Sequence, residues 1–117
     1  MSQFQNQFQF VACIAERDIL RYTPAGIPIV SARLEHRSSQ MEAGIARLIE
    51  FEISALAVGE ISGRFNQAEL GQVFQFNGFL ARKHRNSKSL VFHIVDFENV
   101  SESAPNILDT GAKNGIR

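Results

Sequence analysis

The chain has 117 residues, a length that fits one domain built around a single hydrophobic core. Its 12 Lys and Arg residues balance 12 Asp and Glu residues, so no global basic field is available to attract nucleic acid. The single cysteine, Cys13, excludes an intrachain disulfide framework and any multi-cysteine metal site.

The first third of the chain predicts two strands joined as a long hairpin. From Phe8 to Ala15 apolar side chains recur at every second position, which is the period of a strand with one buried face. The pattern continues weakly to Tyr22, and a Thr-Pro-Ala-Gly turn follows at 23–26. Beyond the turn, apolar and polar residues alternate again over 30–37, predicting a second strand with one solvated face.

The remaining elements alternate in a similar way, with one change of period. Residues 38–45 are polar and aperiodic and predict a loop, and a third strand follows over 48–57. Ile61, Phe65 and Ala68 lie at helical spacing and predict a short helix that ends before Gly71. Strands are predicted again at 73–81 and 90–100, with a basic stretch between them.

This order of elements predicts the fold class. Five strands with a short helix between the third and the fourth are the layout of an all-β, five-stranded OB-fold barrel, in which the helix closes one end. We assign residues 1–100 to this domain. Residues 101–117 are polar with few apolar side chains, so we expect a flexible C-terminal tail.

No constellation of catalytic or metal-binding residues is visible in the sequence. His36, His84 and His93 are far apart, and none has a cysteine or carboxylate at metal-ligand spacing. Glu50 and Glu52 share one face of the third predicted strand, but charged residues are ordinary on a solvated face. We therefore expect a protein without catalytic activity, metal or cofactor.

The sequence also predicts a cytoplasmic protein that does not enter membranes. No apolar run approaches the roughly 20 residues that a membrane-spanning helix needs. Residues 1–7 are polar and lack the basic and apolar regions of a signal peptide.

The basic stretch before the last predicted strand is the most informative segment. Four of the seven residues from Arg82 to Lys88 are Lys or Arg, and Asn86-Ser87 suits the tip of a turn. A projecting loop of this kind lays cations along a phosphate chain, and in OB barrels such loops flank the nucleic-acid groove. The sequence therefore predicts a single-stranded DNA site that includes Arg82, Lys83, Arg85 and Lys88.

Other residues extend or oppose this site. Tyr22 is the candidate for an exposed ring on which a base stacks, because the phenylalanines fall mostly on predicted core faces. Glu50 and Glu52 point to the outer face of the third strand and would repel phosphate. The further candidate contacts outside the loop are Arg21, Arg33, Arg37 and Arg47.

Several stretches resemble the PriB family of primosomal replication proteins. They are Thr-Pro-Ala-Gly-Ile-Pro at 23–28, Leu-Glu-His-Arg-Ser at 34–38 and Gln-Met-Glu-Ala-Gly at 40–44. The likeness continues through Gly78-Phe79 and Val91-Phe92-His93, and it spans residues 8–100.

The resemblance implies an OB-fold homodimer related to bacterial single-stranded DNA-binding proteins. It also implies a role in replication restart, with the PriA helicase and other primosome proteins as partners. The sequence departs from the family pattern in two places, and both lower the DNA affinity that the resemblance implies. The loop is shorter than in enteric relatives, and Glu50 stands where those relatives carry a Trp. The DNA contacts carried over by matching positions are Arg21, Arg37, Arg47, Arg82, Lys83, Arg85 and Lys88.

Two other functions stay open at this point. The chain is alternatively a protein–protein adaptor of the primosome in which DNA binding is vestigial, as Glu50, Glu52 and the missing Trp suggest. A weaker possibility is a generic single-stranded DNA-binding protein, although the sequence lacks the acidic, Phe-ended tip that such proteins commonly carry.

Overall fold

The computed structural model describes residues 4–100, which form a closed β-barrel with one short helix. β1, β3, β4, β6 and β5 follow one another around the barrel, and β5 pairs with β1 to close it. The two-residue strand β2 pairs with the edge of β3. The elements are β1 (Phe8–Arg17), β2 (Arg21–Tyr22), β3 (Pro28–Glu42), β4 (Ile45–Val58), α1 (Ile61–Gln67), β5 (Val73–Arg82) and β6 (Leu90–Asn99).

This topology confirms the predicted OB fold. All neighbouring strands are antiparallel except β4 and β6, which pair in parallel at Ala55↔Phe92 and Leu56↔His93. The helix lies between the third and fourth strands of the barrel, as the change of period indicates.

The core is built largely from phenylalanine and small aliphatic side chains. Phe65 on α1 is fully buried and packs edge-to-face against Phe76 and Phe97, so the helix closes one end of the barrel. Arg17 holds that helix in place, because its Nη1 donates to the carbonyl oxygens of Phe65 and Ala68 at 2.9 and 2.6 Å. These carbonyls belong to the C-terminal turn of α1, which leaves backbone acceptors unsatisfied.

The loop predicted for Ser38–Ile45 is wrong. β3 runs on to Glu42 and β4 starts at Ile45, so the two strands form one long hairpin with a turn at Ala43-Gly44. Both turn residues have positive φ, +54° and +78°, as a two-residue type I′ hairpin turn requires. The sequence did not indicate a strand here because this part of the hairpin is mostly exposed, so its residues do not alternate between apolar and polar.

Ser38 is a buried polar residue of this hairpin, and a chain of hydrogen bonds satisfies its hydroxyl group. Gln40 Nε2 donates to Ser38 Oγ at 3.1 Å, and the Ser38 hydroxyl lies 2.7 Å from His36 Nε2. His36 Nδ1 donates to the carbonyl oxygen of Val11 at 2.6 Å. The chain of bonds therefore ties β3 to β1 and satisfies Ser38, which is 4% exposed.

The end of β1 and the phenylalanine core also differ from the sequence-based expectation. β1 ends at Arg17, and the weak continuation to Tyr22 is a separate short strand, β2. The expected phenylalanine core is also incomplete, because Phe8, Phe51 and Phe79 are 46, 43 and 38% exposed.

No helix of residues 4–100 is long and apolar enough to cross a membrane. The predicted flexible tail, 101–117, lies outside the described residues.

Candidate nucleic-acid interface

A groove of about 410 Å³ opens between the β1–β3 connection and the β5–β6 loop. Three predicted DNA contacts line it: Arg21 from β2, Arg33 from β3 and Lys83 from the start of the loop. They are far apart in the sequence and meet because β3 and β6 both lie beside β4 in the barrel. In OB barrels the loops at this position border the bound oligonucleotide.

The remaining walls of this groove carry acceptors and small side chains. Glu16 and Asp18 contribute carboxylates, and Ser31 and Ser54 contribute hydroxyl groups. Arg21 Nη1 donates to Ser31 Oγ at 3.0 Å, which holds the guanidinium beside β3. The groove thus presents both cations and hydrogen-bond acceptors to a ligand.

Together with Arg82, the last residue of β5, the β5–β6 loop carries four cations on a short segment with its own backbone hydrogen bonds. Lys83 N–H donates to the Ser89 carbonyl at 2.9 Å, and Ser87 N–H donates to the His84 carbonyl at 3.0 Å. Arg85 and Asn86 therefore occupy the tip of the turn, one position earlier than the sequence suggests. Within residues 4–100 none of these cations pairs with a carboxylate, and all are exposed: Arg82, Lys83, Arg85 and Lys88.

Arg33 is in a different electrostatic situation. Its guanidinium lies 2.8 Å from Glu52, 2.9 Å from Glu16 and 3.8 Å from Glu35. Hydrogen bonds to Glu52 and then to Glu16 hold the pKa of Arg33 above its ordinary value. The positive charge of Arg33 is therefore already balanced by carboxylates before any phosphate arrives.

Arg37 and Arg47 are also paired, and they do not lie on one face. Arg37 Nε is 3.0 Å from Glu50 across the hairpin, and Arg47 forms an ion pair with Glu42 beside the turn. By alternation along β4, Arg47 shares a face with Phe51, whereas Arg37 lies on the opposite, outer face. The predicted cations of this hairpin therefore do not form one track.

The outer face of the β3–β4 hairpin carries an excess of acidic groups within the described chain. The carboxylates of Glu35, Glu50 and Glu52 alternate onto the face that also carries Arg33 and Arg37, and Glu16 adjoins it from β1. Such a face is net negative and repels phosphate. The sequence-based expectation that Glu50 and Glu52 oppose DNA contact thus has a geometric basis.

Sequence reasoning missed an aromatic surface on the other face of the hairpin. Phe51 stacks on His36 with ring centroids 4.7 Å apart, and Phe10 packs against both rings. With the half-exposed Phe8, Phe10 and Phe51 form an apolar patch beside β1. Alternation placed all three on the core face, because the sequence does not show that the hairpin extends past the barrel interior.

The ring expected to be exposed, that of Tyr22, is exposed in the structure. Tyr22 on β2 shows 67% of its surface to solvent, and neighbouring Ile19 shows 91%. Both belong to the connection that borders the groove. This connection therefore offers apolar and aromatic contact next to the cation Arg21.

The histidines and the cysteine carry no sign of metal or nucleophilic chemistry. Among residues 4–100 no group of three or more His, Cys, Asp or Glu side chains is placed to hold a metal ion. Burial and the nearby Glu35 carboxylate raise the pKa of the Cys13 thiol, which disfavours the reactive thiolate.

Comparison with known proteins places this geometry in a family context. Residues 6–96 match the family model described as "Another single-strand binding protein family". The replication restart protein PriB of Nitrosomonas europaea is 40% identical over 92 residues, which cover 79% of this chain and 85% of that protein. PriB of Bordetella pertussis is 33% identical over 98 residues, covering 84% of this chain and 92% of that protein.

Solved structures of PriB and of a single-stranded DNA-binding protein are also similar to this chain. PriB from Ralstonia solanacearum superposes with a TM-score of 0.76 at 45% identity, over 82% of this chain and 98% of that chain. The wild-type single-stranded DNA-binding protein of Thermus aquaticus superposes with a TM-score of 0.65 at 22% identity, over 85% of this chain and 52% of that chain. The latter similarity concerns the fold alone.

Proposed function

The chain belongs to the PriB family of replication restart proteins, and from this premise we propose that it binds single-stranded DNA as a non-enzymatic accessory of the primosome. In that role it assists the PriA helicase in the bacterial cytoplasm. The observation that carries the proposal is the β5–β6 loop, whose four cations are exposed and unpaired within residues 4–100. They lie beside a groove that Arg21 and Lys83 share.

The distribution of charge determines which predicted contacts bear most of the DNA binding. The unpaired cations are free to meet phosphate, whereas Arg33 and Arg37 must first leave their carboxylates. We therefore assign the main contacts to the loop and Arg21, with Arg33, Arg37 and Arg47 as weaker ones. Binding of this kind depends on counterion release and falls steeply with salt.

Fluorescence anisotropy with labelled oligo-dT across a salt series tests this proposal. We expect binding at low salt and a slope of log K against log salt near −0.7 for each phosphate neutralised. Replacing Arg82, Lys83, Arg85 and Lys88 by Ala removes most of the affinity and flattens the slope. Arg64→Ala, which removes a cation on α1 away from the loop, is the matched control. Absence of binding at low salt contradicts the proposal.

The adaptor function is a second candidate because of one observation. The paired Arg33 and Arg37 and the acidic outer face leave much of the β3–β4 hairpin unsuited to phosphate. Stimulation of the PriA helicase by the four-alanine loop variant separates the two functions. If stimulation survives while DNA binding is lost, the adaptor function is supported and DNA binding is secondary.

We also propose that two copies associate through β1. From Phe8 to Ala12 this strand pairs with β5 on one edge, while its pairing with β3 begins only at Cys13. Within the described chain the second edge of this segment therefore has no strand partner, although the Val11 carbonyl accepts a hydrogen bond from the His36 side chain. The apolar patch lies beside this edge. An open edge next to apolar surface favours isologous pairing with a second copy.

A further inference from the structure

The groove between β2 and the β5–β6 loop has the size of a small-molecule subsite. Its volume of about 410 Å³ falls in the range of about 300–1,000 Å³ that such sites occupy. Leu56, Ser31 and Ser54 alternate onto the face that lines the groove, whereas Ala55, which also borders it, belongs to the buried core. The short side chains of Ser31 and Ser54 allow a flat ring to approach the sheet closely, and Leu56 offers apolar contact to its face.

Cations and acceptors in the groove suit different parts of a nucleotide. Arg21 and Lys83 are not paired with carboxylates within residues 4–100, so they are available for the phosphates on either side of a base. Arg33 is unavailable in this sense, because Glu16 and Glu52 hold its guanidinium. Phosphate recognition therefore belongs to the two unpaired cations.

Asp18 supplies the carboxylate of the groove that is left without an ion pair within residues 4–100. Its backbone N–H donates to the Ser31 carbonyl at 2.8 Å, which fixes the residue beside β3. Glu16 already binds Arg33, whereas the Asp18 carboxylate has no ion pair or side-chain hydrogen bond within the described residues. A carboxylate repels phosphate and attracts an N–H donor, so this part of the groove favours the edge of a base.

We propose that this groove is a subsite for one nucleotide and that Asp18 selects a base with an exocyclic amino group. Cytosine presents an N4 amino donor where thymine presents the O4 acceptor, and carboxylates accept hydrogen bonds from cytosine N4. The inference rests on the proposed DNA binding and adds a base preference to it. Asp18 is the specificity-determining residue, while Arg21 and Lys83 hold the backbone.

Competition between two homopolymers tests the inference. Labelled oligo-dC and oligo-dT of equal length are titrated in the same salt at mildly alkaline pH, where cytosine is unprotonated. We expect the wild-type protein to bind oligo-dC about three- to tenfold tighter than oligo-dT. Asp18→Asn removes this ratio, because an amide group can donate to thymine O4 and accept from cytosine N4. Glu98→Gln, an exposed carboxylate on β6, is the charge-matched control and leaves the ratio unchanged.

The outcomes distinguish this inference from the proposed function. Measurable but equal binding of both homopolymers by the wild-type protein overturns the base preference and leaves DNA binding intact. The inference also fails if Asp18→Asn strengthens binding of both homopolymers by the same factor, since Asp18 then acts only as a charge. Absence of binding to either homopolymer at low salt overturns the proposed function itself.

Discussion

Gly78 on β5 shows how one residue determines how closely two strands of the barrel approach. A Cβ built at this site would lie 1.9 Å from the carbonyl oxygen of His93 and 2.8 Å from Cζ of Phe92. The missing side chain therefore lets β5 approach β6 closely at the register shift between Asn77 and Gly78. The basic loop connects this same pair of strands.

Gly78→Ala is expected to lower the free energy of unfolding by about 3 kcal/mol, because backbone and core must shift to admit the methyl group. Urea unfolding measures the effect as a lower midpoint. Gly63→Ala is the matched control: a Cβ at Gly63 meets no atom within 4 Å, and alanine favours the helix by about 1 kcal/mol. An unchanged midpoint for Gly78→Ala would contradict the close approach.

The β3–β4 hairpin is the element whose two faces differ most in chemistry. Its strands pair continuously from Ile29↔Val58 to Glu42↔Ile45, without a register shift. Regular alternation therefore separates an acidic outer face, with Glu50 and Glu52, from the face that carries Phe51. A hairpin built in this way binds phosphate poorly on its outer face even though it contains arginines.

Replacing both Glu50 and Glu52 by Gln is expected to raise the affinity for single-stranded DNA several-fold. The change removes two negative charges and frees Arg37 for phosphate, while Arg33 keeps its ion pair with Glu16. The salt slope therefore steepens by up to about 0.7 for the freed cation. Stability changes little, since exposed ion pairs contribute about 0–1 kcal/mol. Anisotropy titrations measure the effect, with Glu69→Gln as control. If the affinity stays unchanged, the outer face lies off the DNA path.

At the scale of the whole molecule, the net charge is neutral but positive and negative side chains lie on different surfaces. The net charge is zero, yet the β5–β6 loop is basic while the outer face of the hairpin is acidic. Long-range attraction to DNA is therefore weak, and binding depends on short-range contacts around one end of the barrel.

Light scattering during size exclusion tests the proposed dimer. We expect a mass twice the 13.1 kDa of one chain. Glutamate at both Phe8 and Phe51 is expected to shift the equilibrium to monomers, because it places charges in the apolar patch. Phe79→Glu changes a comparably exposed phenylalanine on the opposite face of the sheet and should leave the dimer intact. A monomeric wild-type protein at high concentration would contradict β1-mediated association.

Local periodicity explains why much of the fold was predictable from the sequence. Strand and helix periods depend on neighbouring residues alone, so positions 8–15, 30–37, 61–68 and 73–81 indicated the correct element types. The loop predicted at 38–45 was wrong because residues up to Glu42 pair with β4, although their side chains are mostly polar and show no strand period. This pairing depends on the partner strand across the turn, which no period within the segment records.

The sequence by itself determined the order and type of the elements, which is the layout of an OB barrel, and the basic loop from Arg82 to Lys88, because both are read from residues close together in the chain. Only the tertiary structure decided which other cations are free. Strand register pairs Arg33 and Arg37 with glutamates, and barrel closure brings Arg21, Lys83 and Asp18 around one groove. Electrostatic pairing depends on distance in space, and that distance is set by packing between residues remote in sequence.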